Sequence, residues 1–175
     1  YLALKPLLSD YVLSMPRGAA IVYPKDAAQI LVEGDIFPGA NVIEAGVGSG
    51  ALSSYLIRAI GDHGKLTSFE RRAEFAEIAK GNVENFLGAE PANWDVVIGN
   101  LQEMLPEHCE AASADRVVLD MLAPWECIDA VATAMKPGGL VIIYVATVTQ
   151  LSRTFEEIRA HGGFTAPLAW ESMVR

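Results

Sequence analysis

The sequence has 175 residues, 51% of them hydrophobic and 20% charged, which is enough for one domain with its own core and too apolar for a disordered chain. Thirteen basic against 22 acidic residues leave a net charge of −9, which argues against a simple nucleic-acid-binding module but leaves room for a local basic stripe. No apolar run reaches the ~18 residues that cross a bilayer, and Cys109 and Cys127 have neither metal spacing nor the makings of a disulfide framework, so the expectation is no membrane, no metal and a reducing cytoplasm.

Taken in chain order, a lead-in segment (1–33) carries a helical stretch near Asp26–Glu33. Residues 34–175 then alternate strands and helices. Strands are predicted at Asn41–Ala45, Lys65–Glu70, Trp94–Ile98, Arg116–Asp120, Leu140–Val145 and roughly Thr165–Met173. Helices are predicted at Ala51–Ile60, Arg72–Phe86, Trp125–Met135 and Val148–His161. The strands read as short continuous apolar runs, as in a parallel sheet covered on both faces. The alternation therefore predicts an α/β, doubly wound, mostly parallel sheet. Gly61-Asp62-His63-Gly64, Lys136-Pro137-Gly138-Gly139 and His161-Gly162-Gly163 are predicted to close helices.

The strongest local signal is Val42-Ile43-Glu44-Ala45-Gly46-Val47-Gly48-Ser49-Gly50, a glycine loop between a strand and a helix, where ligands bind in such sheets. Gly46, Gly48 and Ala51 also satisfy the dinucleotide pattern, so a nicotinamide cofactor and a purely structural turn remain alternatives. Glu44 favours a third reading. A carboxylate beside the loop would repel a pyrophosphate but attract the ammonium and sulfonium of S-adenosylmethionine. Glu70, closing the next strand, is placed to accept hydrogen bonds from both ribose hydroxyls or to stand solvated at a strand end. Asn100 is a candidate for the adenine edge and Leu101 for packing on the ring, with an ordinary loop turn as the alternative.

The fourth strand ends in Leu119-Asp120-Met121-Leu122-Ala123-Pro124-Trp125. Asp-x-x-x-Pro-Trp is loosely similar to the loops of enzymes that methylate amino groups on bases. An acid here can orient an exocyclic amine and balance positive charge on a methylated ring. The bland alternative for Asp120 is a helix cap, and for Trp125 a core position. The three histidines (His63, His108 and His161) lie in loops or turns without ligand spacing. Arg71 and Arg72, with Arg58 and Lys65, are a candidate basic patch or an ordinary solvated face.

These motifs, with Arg17-Gly18-Ala19-Ala20-Ile21-Val22-Tyr23-Pro24-Lys25-Asp26, Phe69-Glu70-Arg71-Arg72 and Tyr144-Val145-Ala146-Thr147-Val148-Thr149-Gln150, occur in one order. Together they resemble the tRNA (adenine-58-N1) methyltransferase family, especially its actinobacterial members, over essentially the whole chain. The resemblance implies a Rossmann-like class I methyltransferase fold, S-adenosyl-L-methionine as cofactor, tRNA as substrate, a homotetramer, and Asp120 at the catalytic acid/base position. It places Val22, Glu44, Gly46, Gly48, Ser49, Gly50, Ala51, Leu52, Glu70, Arg72, Asn100, Leu101 and Asp120 around the donor. It places Tyr23, Trp125, Tyr144 and Gln150 near the tRNA or adenine pocket. Asn100 replaces a frequent Asp, and Ala146 a frequent Pro. The family's small N-terminal β-domain and its C-terminal antiparallel strand are not in this stretch of sequence. The rival readings are a methyltransferase of protein carboxylates or small molecules, a nicotinamide-dependent oxidoreductase, and a methyltransferase-like subunit that only scaffolds RNA binding.

Overall fold

A computed structural model describes residues 2–173. Its elements run α1 (Leu8–Ser14), α2 (Pro24–Glu33), β1 (Asn41–Ala45), α3 (Ala51–Ile60), β2 (Lys65–Glu70), α4 (Ala73–Leu87), β3 (Trp94–Ile98), α5 (Leu101–His108), β4 (Ala114–Asp120), a 3-10 turn (Pro124–Cys127), α6 (Ile128–Ala134), β5 (Met135–Tyr144) and α7 (Val148–His161). The five strands pair in parallel in the order β3-β2-β1-β4-β5. Strand order reverses between β1 and β4, so a crevice opens beyond their carboxyl ends.

Two apolar cores sandwich the sheet. Alternate residues of one strand face opposite sides. Val42 joins one core with Leu56, Leu66, Trp94 and Val118, whereas Ile43 joins the other with Phe69, Val117, Leu119 and Val131. The lead-in segment is part of this packing. Val22, Ala27 and Ile30 belong to the first core. Buried Arg116 on β4 donates to the carbonyls of Gly34 (2.7 Å) and Asp35 (3.1 Å) and to the Asp35 carboxylate (2.7 Å). That ties the end of α2 to the amino end of the sheet.

Three expectations are corrected. The strand expected at Thr165–Met173 does not form; the segment has no regular structure. Pro167 lacks the N–H that a ladder needs, and few residues here are β-branched. Lys136-Pro137-Gly138-Gly139 does not close α6, which ends at Ala134 with Met135 already extended. These four residues instead form an irregularity inside β5: Ala114 pairs with Met135, and Arg116 with Leu140. Gly138 supplies the left-handed backbone (φ +81°), and Lys136 reaches back to Asp115 at 2.6 Å. Finally, α1 and α5 were not expected. One is only seven residues long and the other contains Pro106, so neither offers a clean helical period.

Candidate functional site

The glycine loop follows β1 and ends where α3 begins. Gly46 (φ +90°) lies so close to β4 that a Cβ built on it would sit 1.8 Å from the Asp120 carbonyl oxygen. Gly50 (φ +80°) is the left-handed residue ahead of α3, and its missing Cβ leaves room for the Ala79 backbone of α4. On one flank the loop is locked by the lead-in segment. The Ser49 hydroxyl accepts from the N–H groups of Gly18 and Ala19 (both 3.2 Å) and donates to the Ala19 carbonyl (3.1 Å). Asn82 on α4 donates to the carbonyls of Ser49 (2.9 Å) and Pro16 (2.8 Å). Asn82 was missed in the sequence because no local pattern shows that an asparagine in a helix bridges two distant carbonyls.

Glu70 braces the other flank. Its Oε2 accepts from the Gly48 N–H and its Oε1 from the Arg72 N–H, each at 3.1 Å. The carboxylate expected to meet ribose hydroxyls therefore also fixes the loop. One hydrogen bond per oxygen leaves each with a free lone pair. The Arg72 guanidinium lies 3.7 Å from Glu70 and 3.5 Å from the centre of the Phe75 ring.

Glu44, Glu70 and Asp120 project to the same face of the sheet, since Val42, Leu66 and Val118, two residues before each or four in the case of Glu70, belong to one core. Glu44 is not open to a ligand, as the sequence reading supposed. It is fully buried and holds a polar network: Ser53 donates to it at 2.8 Å and Ser68 at 2.6 Å, and the Trp94 indole donates to Ser68 at 2.9 Å. Burial pushes the Glu44 carboxyl up to about 7; the two serine hydrogen bonds pull it down, and the charges of Asp120 and Glu70 push it further up. Asp120, at the end of β4, is pushed up to about 6 by burial and by Glu70. Three carboxylates thus feel one another across the crevice, and of the three only Glu70 has a cation beside it among the described residues, Arg72. Such a site favours a positively charged ligand.

The raised Glu44 value has a consequence for stability. An unfolded glutamate titrates near 4.5, so between pH 4.5 and 7 the folded protein binds the proton more tightly. The stabilisation is complete below 4.5 and is lost as the pH rises through 7. Glu44→Gln is expected to flatten this decline and to be the more stable protein at pH 7.5, as read by urea midpoints at pH 5 and 7.5. A wild-type midpoint independent of pH over that range, or an equal slope in the variant, would remove Glu44 as the cause.

The other expected site residues divide. Val22, Ala51 and Leu52 are buried around the loop, Val22 and Leu52 in the first core. Asn100 precedes α5 and donates to Glu103 at 3.0 Å. Leu101 is buried in the second core, so its side chain is unavailable to stack on a ring. Its backbone N–H, in the first turn of α5, has no intrahelical carbonyl to donate to. Tyr144 is the register partner of Asp120 and donates to Asp26 at 3.2 Å, with exposed Tyr23 just ahead of α2. Trp125 is brought to α7 instead. Its ring is covered by the Arg153 guanidinium at 4.2 Å, and its buried indole N–H has no partner. Gln150 donates to the Leu122 carbonyl (2.9 Å), which ties the loop after Asp120 to the start of α7.

The suggested basic patch does not assemble. Lys65 opens β2 and pairs with Asp95, whereas Arg71 and Arg72 follow its other end, ~17 Å away at ~3.3 Å per residue. A cavity of about 600 Å³ lies elsewhere, lined by Lys5, Tyr55, Arg58 and Phe86 among others, and shares no residue with the loop. Among the described residues no helix is long and apolar enough to cross a membrane, and no three His, Cys, Asp or Glu are grouped as a metal site.

Known proteins resemble this chain in sequence and in fold. A "tRNA (adenine(58)-N(1))-methyltransferase TrmI" of Thermus thermophilus is 36% identical over 157 residues, covering 90% of this chain and 60% of the relative. A solved SAM-dependent O-methyltransferase from Thermotoga maritima superposes with a TM-score of 0.79 at 32% identity, covering 89% of this chain and 56% of that one. The tRNA (m1A58) methyltransferase TrmI from Aquifex aeolicus gives 0.80 at 24% identity, over 89% and 60%. The fold is thus the Rossmann-like fold of S-adenosylmethionine-dependent methyltransferases, and the chain spans about 60% of the length of its curated relative. The profile described as "tRNA methyltransferase complex GCD14 subunit" matches residues 2–169, nearly everything from the lead-in lock on the glycine loop to the segment after α7, and the chain belongs to that family.

Proposed function

We propose that this chain is the catalytic part of an enzyme that methylates N1 of adenine 58 in tRNA with S-adenosyl-L-methionine. Residues 34–175 form the catalytic unit and 1–33 the lead-in that locks its loop. The observation that carries the reading is the convergence of Glu70, Asp120 and the deeper Glu44 around a glycine loop pressed against β4. This chemistry fits a donor bearing an ammonium and a sulfonium and disfavours the pyrophosphate of a nicotinamide cofactor. The relatives named above point to the same activity.

The donor supplies an electrophilic methyl group. The chain's residues bind and orient. Gly46, Gly48 and Gly50, with Ser49, Ala51 and Leu52, shape the turn for the methionine end. Glu70 holds the ribose with its free lone pairs, flanked by Arg72 and Val22. Asn100 and the Leu101 N–H meet the adenine edge. Asp120 accepts a hydrogen bond from the exocyclic amine of the target base, so that ring N1 is aimed at the methyl group. Its carboxylate then balances the positive charge left on the methylated ring. Tyr23 and Tyr144 line the acceptor side, and Gln150 fixes the loop behind Asp120. Trp125 acts through that loop and α7 rather than as a base platform.

A base reaches such a crevice only when flipped out of its stack, at a cost of a few kcal/mol that pocket contacts offset. With a chain charge of −9, the RNA backbone must be held by local cations or by parts contributed from other subunits. A homotetramer working in the cytoplasm supplies such shared surfaces.

The deciding experiment is mass spectrometry of nucleosides from unmodified tRNA incubated with the full-length enzyme and labelled donor. The expected product is 1-methyladenosine, lost when adenine 58 is replaced. Label on a protein carboxylate or small-molecule oxygen instead would establish an oxygen-acceptor reading, as for the Thermotoga O-methyltransferase. Glu70→Ala is expected to weaken S-adenosylhomocysteine binding by ~1–3 kcal/mol, the range for hydrogen bonds to a charged group. Unchanged affinity by calorimetry would sink the ribose role.

A further inference from the structure

Asp26 has no place in the mechanism above, yet it sits at a junction. It lies in the first turn of α2 behind Pro24, and its side chain is largely buried. Lys25 donates to its Oδ1 at 2.6 Å, and the Ser172 hydroxyl makes a short hydrogen bond to the same oxygen. Lys25 also donates to the Ser172 carbonyl at 2.9 Å. Oδ2 is left for the Tyr144 hydroxyl, at 3.2 Å. Burial alone would raise the Asp26 carboxyl, but the hydrogen bonds from Lys25 and Ser172, the charge of Lys25 and the Tyr144 hydroxyl bring it below its usual value. Asp26 is thus ionised and can only accept.

We propose that Asp26 is a positioning residue: by accepting the hydrogen bond of the Tyr144 hydroxyl, it leaves the phenol oxygen as a second hydrogen-bond acceptor beside Asp120, for the other N–H of the substrate's exocyclic amine. The inference rests on the amino-purine reading above. A phenol has one proton and two lone pairs. Once the proton is committed to Asp26, only lone pairs face the crevice. Tyr144 and Asp120 are register partners on adjacent parallel strands, so their side chains leave the same face of the sheet. An exocyclic amine has two N–H groups, one for each acceptor. A purine with a carbonyl at that position would meet two acceptors and be rejected. The pair therefore selects adenine over guanine as well as aiming N1.

The groups that face the phenol are Asp26 on α2, Asp120 on β4 and Tyr23 ahead of α2. Burial is the first reason why the phenol is pushed up to about 12, followed by the charge and hydrogen bond of Asp26, with Asp120 and Tyr23 adding to them. The phenol consequently stays protonated throughout the working range. The plain alternative is that Asp26 only favours the start of α2 and anchors the segment around Ser172.

The test compares full-length wild type with Asp26→Asn, Tyr144→Phe and the double variant. In the ultraviolet tyrosinate titration, the high-pH phenol that disappears in Tyr144→Phe is expected to titrate lower in Asp26→Asn. On unmodified tRNA each single variant is expected to lose about tenfold in kcat, the scale of one hydrogen bond. S-Adenosylhomocysteine affinity should be unchanged, and the double variant no slower than Tyr144→Phe within about twofold, as for residues that act through one contact. Losses that multiply in the double variant, or a Tyr144 phenol that titrates alike with and without Asp26, overturn the proposal. Should Asp26→Asn not fold, Tyr144→Phe still decides: full turnover with unchanged preference for adenine at the target position overturns it. A wild-type enzyme that leaves tRNA unmethylated refutes the substrate reading instead, while the titration alone still decides the contact.

Discussion

Asp120→Ala is expected to lower turnover by ~10²-fold or more, the contribution of a placed acid/base group, while S-adenosylhomocysteine binds nearly as well as to wild type. The separation follows from geometry. What Gly46 touches on β4 is the Asp120 backbone carbonyl, which alanine keeps in place. The side chain is pushed up to about 6 by burial and by Glu70, so its removal relieves repulsion rather than breaking a favourable pair. Thermal stability should therefore hold or rise. The same value predicts the pH profile. The accepting form of Asp120 is the ionised one, so single-turnover rates should climb as the pH rises through about 6 and level above it, and Asp120→Asn should lose that step. Rapid-quench rates from pH 5 to 8 measure this. Near-normal turnover in Asp120→Ala would take the residue out of the mechanism.

The sheet was legible because its strands are apolar runs set off by turn residues, and β1, β2, β3, α3 and α7 form where the patterns put them. Glu44 shows where legibility ends. The sequence places an acid two residues before Gly46, but its direction depends on hydroxyls nine and 24 residues away. Ser53 and Ser68 turn it into an interior network rather than a ligand contact. Leu101 fails for a related reason. A leucine at a helix start reads equally as a ring platform or a core residue, and only the position of α5 over the second core decides. Trp125 was ambiguous in the same way until Arg153 of α7 covered its ring. Asp120 was legible because its place at the end of a parallel strand fixes its location whatever its neighbours are.

Gly46→Ala should weaken donor binding severely, and a matched control isolates why. Gly39 has φ +89° and Gly46 φ +90°, so both replacements force alanine to a positive φ, at ~1–3 kcal/mol. A Cβ at Gly39 meets nothing within 4 Å, whereas at Gly46 it meets the Asp120 carbonyl oxygen at 1.8 Å. No rotamer relieves that clash, because both partners are backbone. The loop must leave β4, and the hydrogen bond from Gly48 to Glu70 lies in the same turn and moves with it. Gly39→Ala is therefore expected to cost only its conformational term, with calorimetric S-adenosylhomocysteine affinity unchanged. Gly46→Ala should lose more than ~100-fold in affinity, equivalent to ~3 kcal/mol, and more stability than its control, as expected where strain and a buried clash combine. Equal affinities in the two variants would mean that the contact between the glycine loop and β4 does not shape the donor site. The carboxylates that converge there would then lose the scaffold that makes them a site at all.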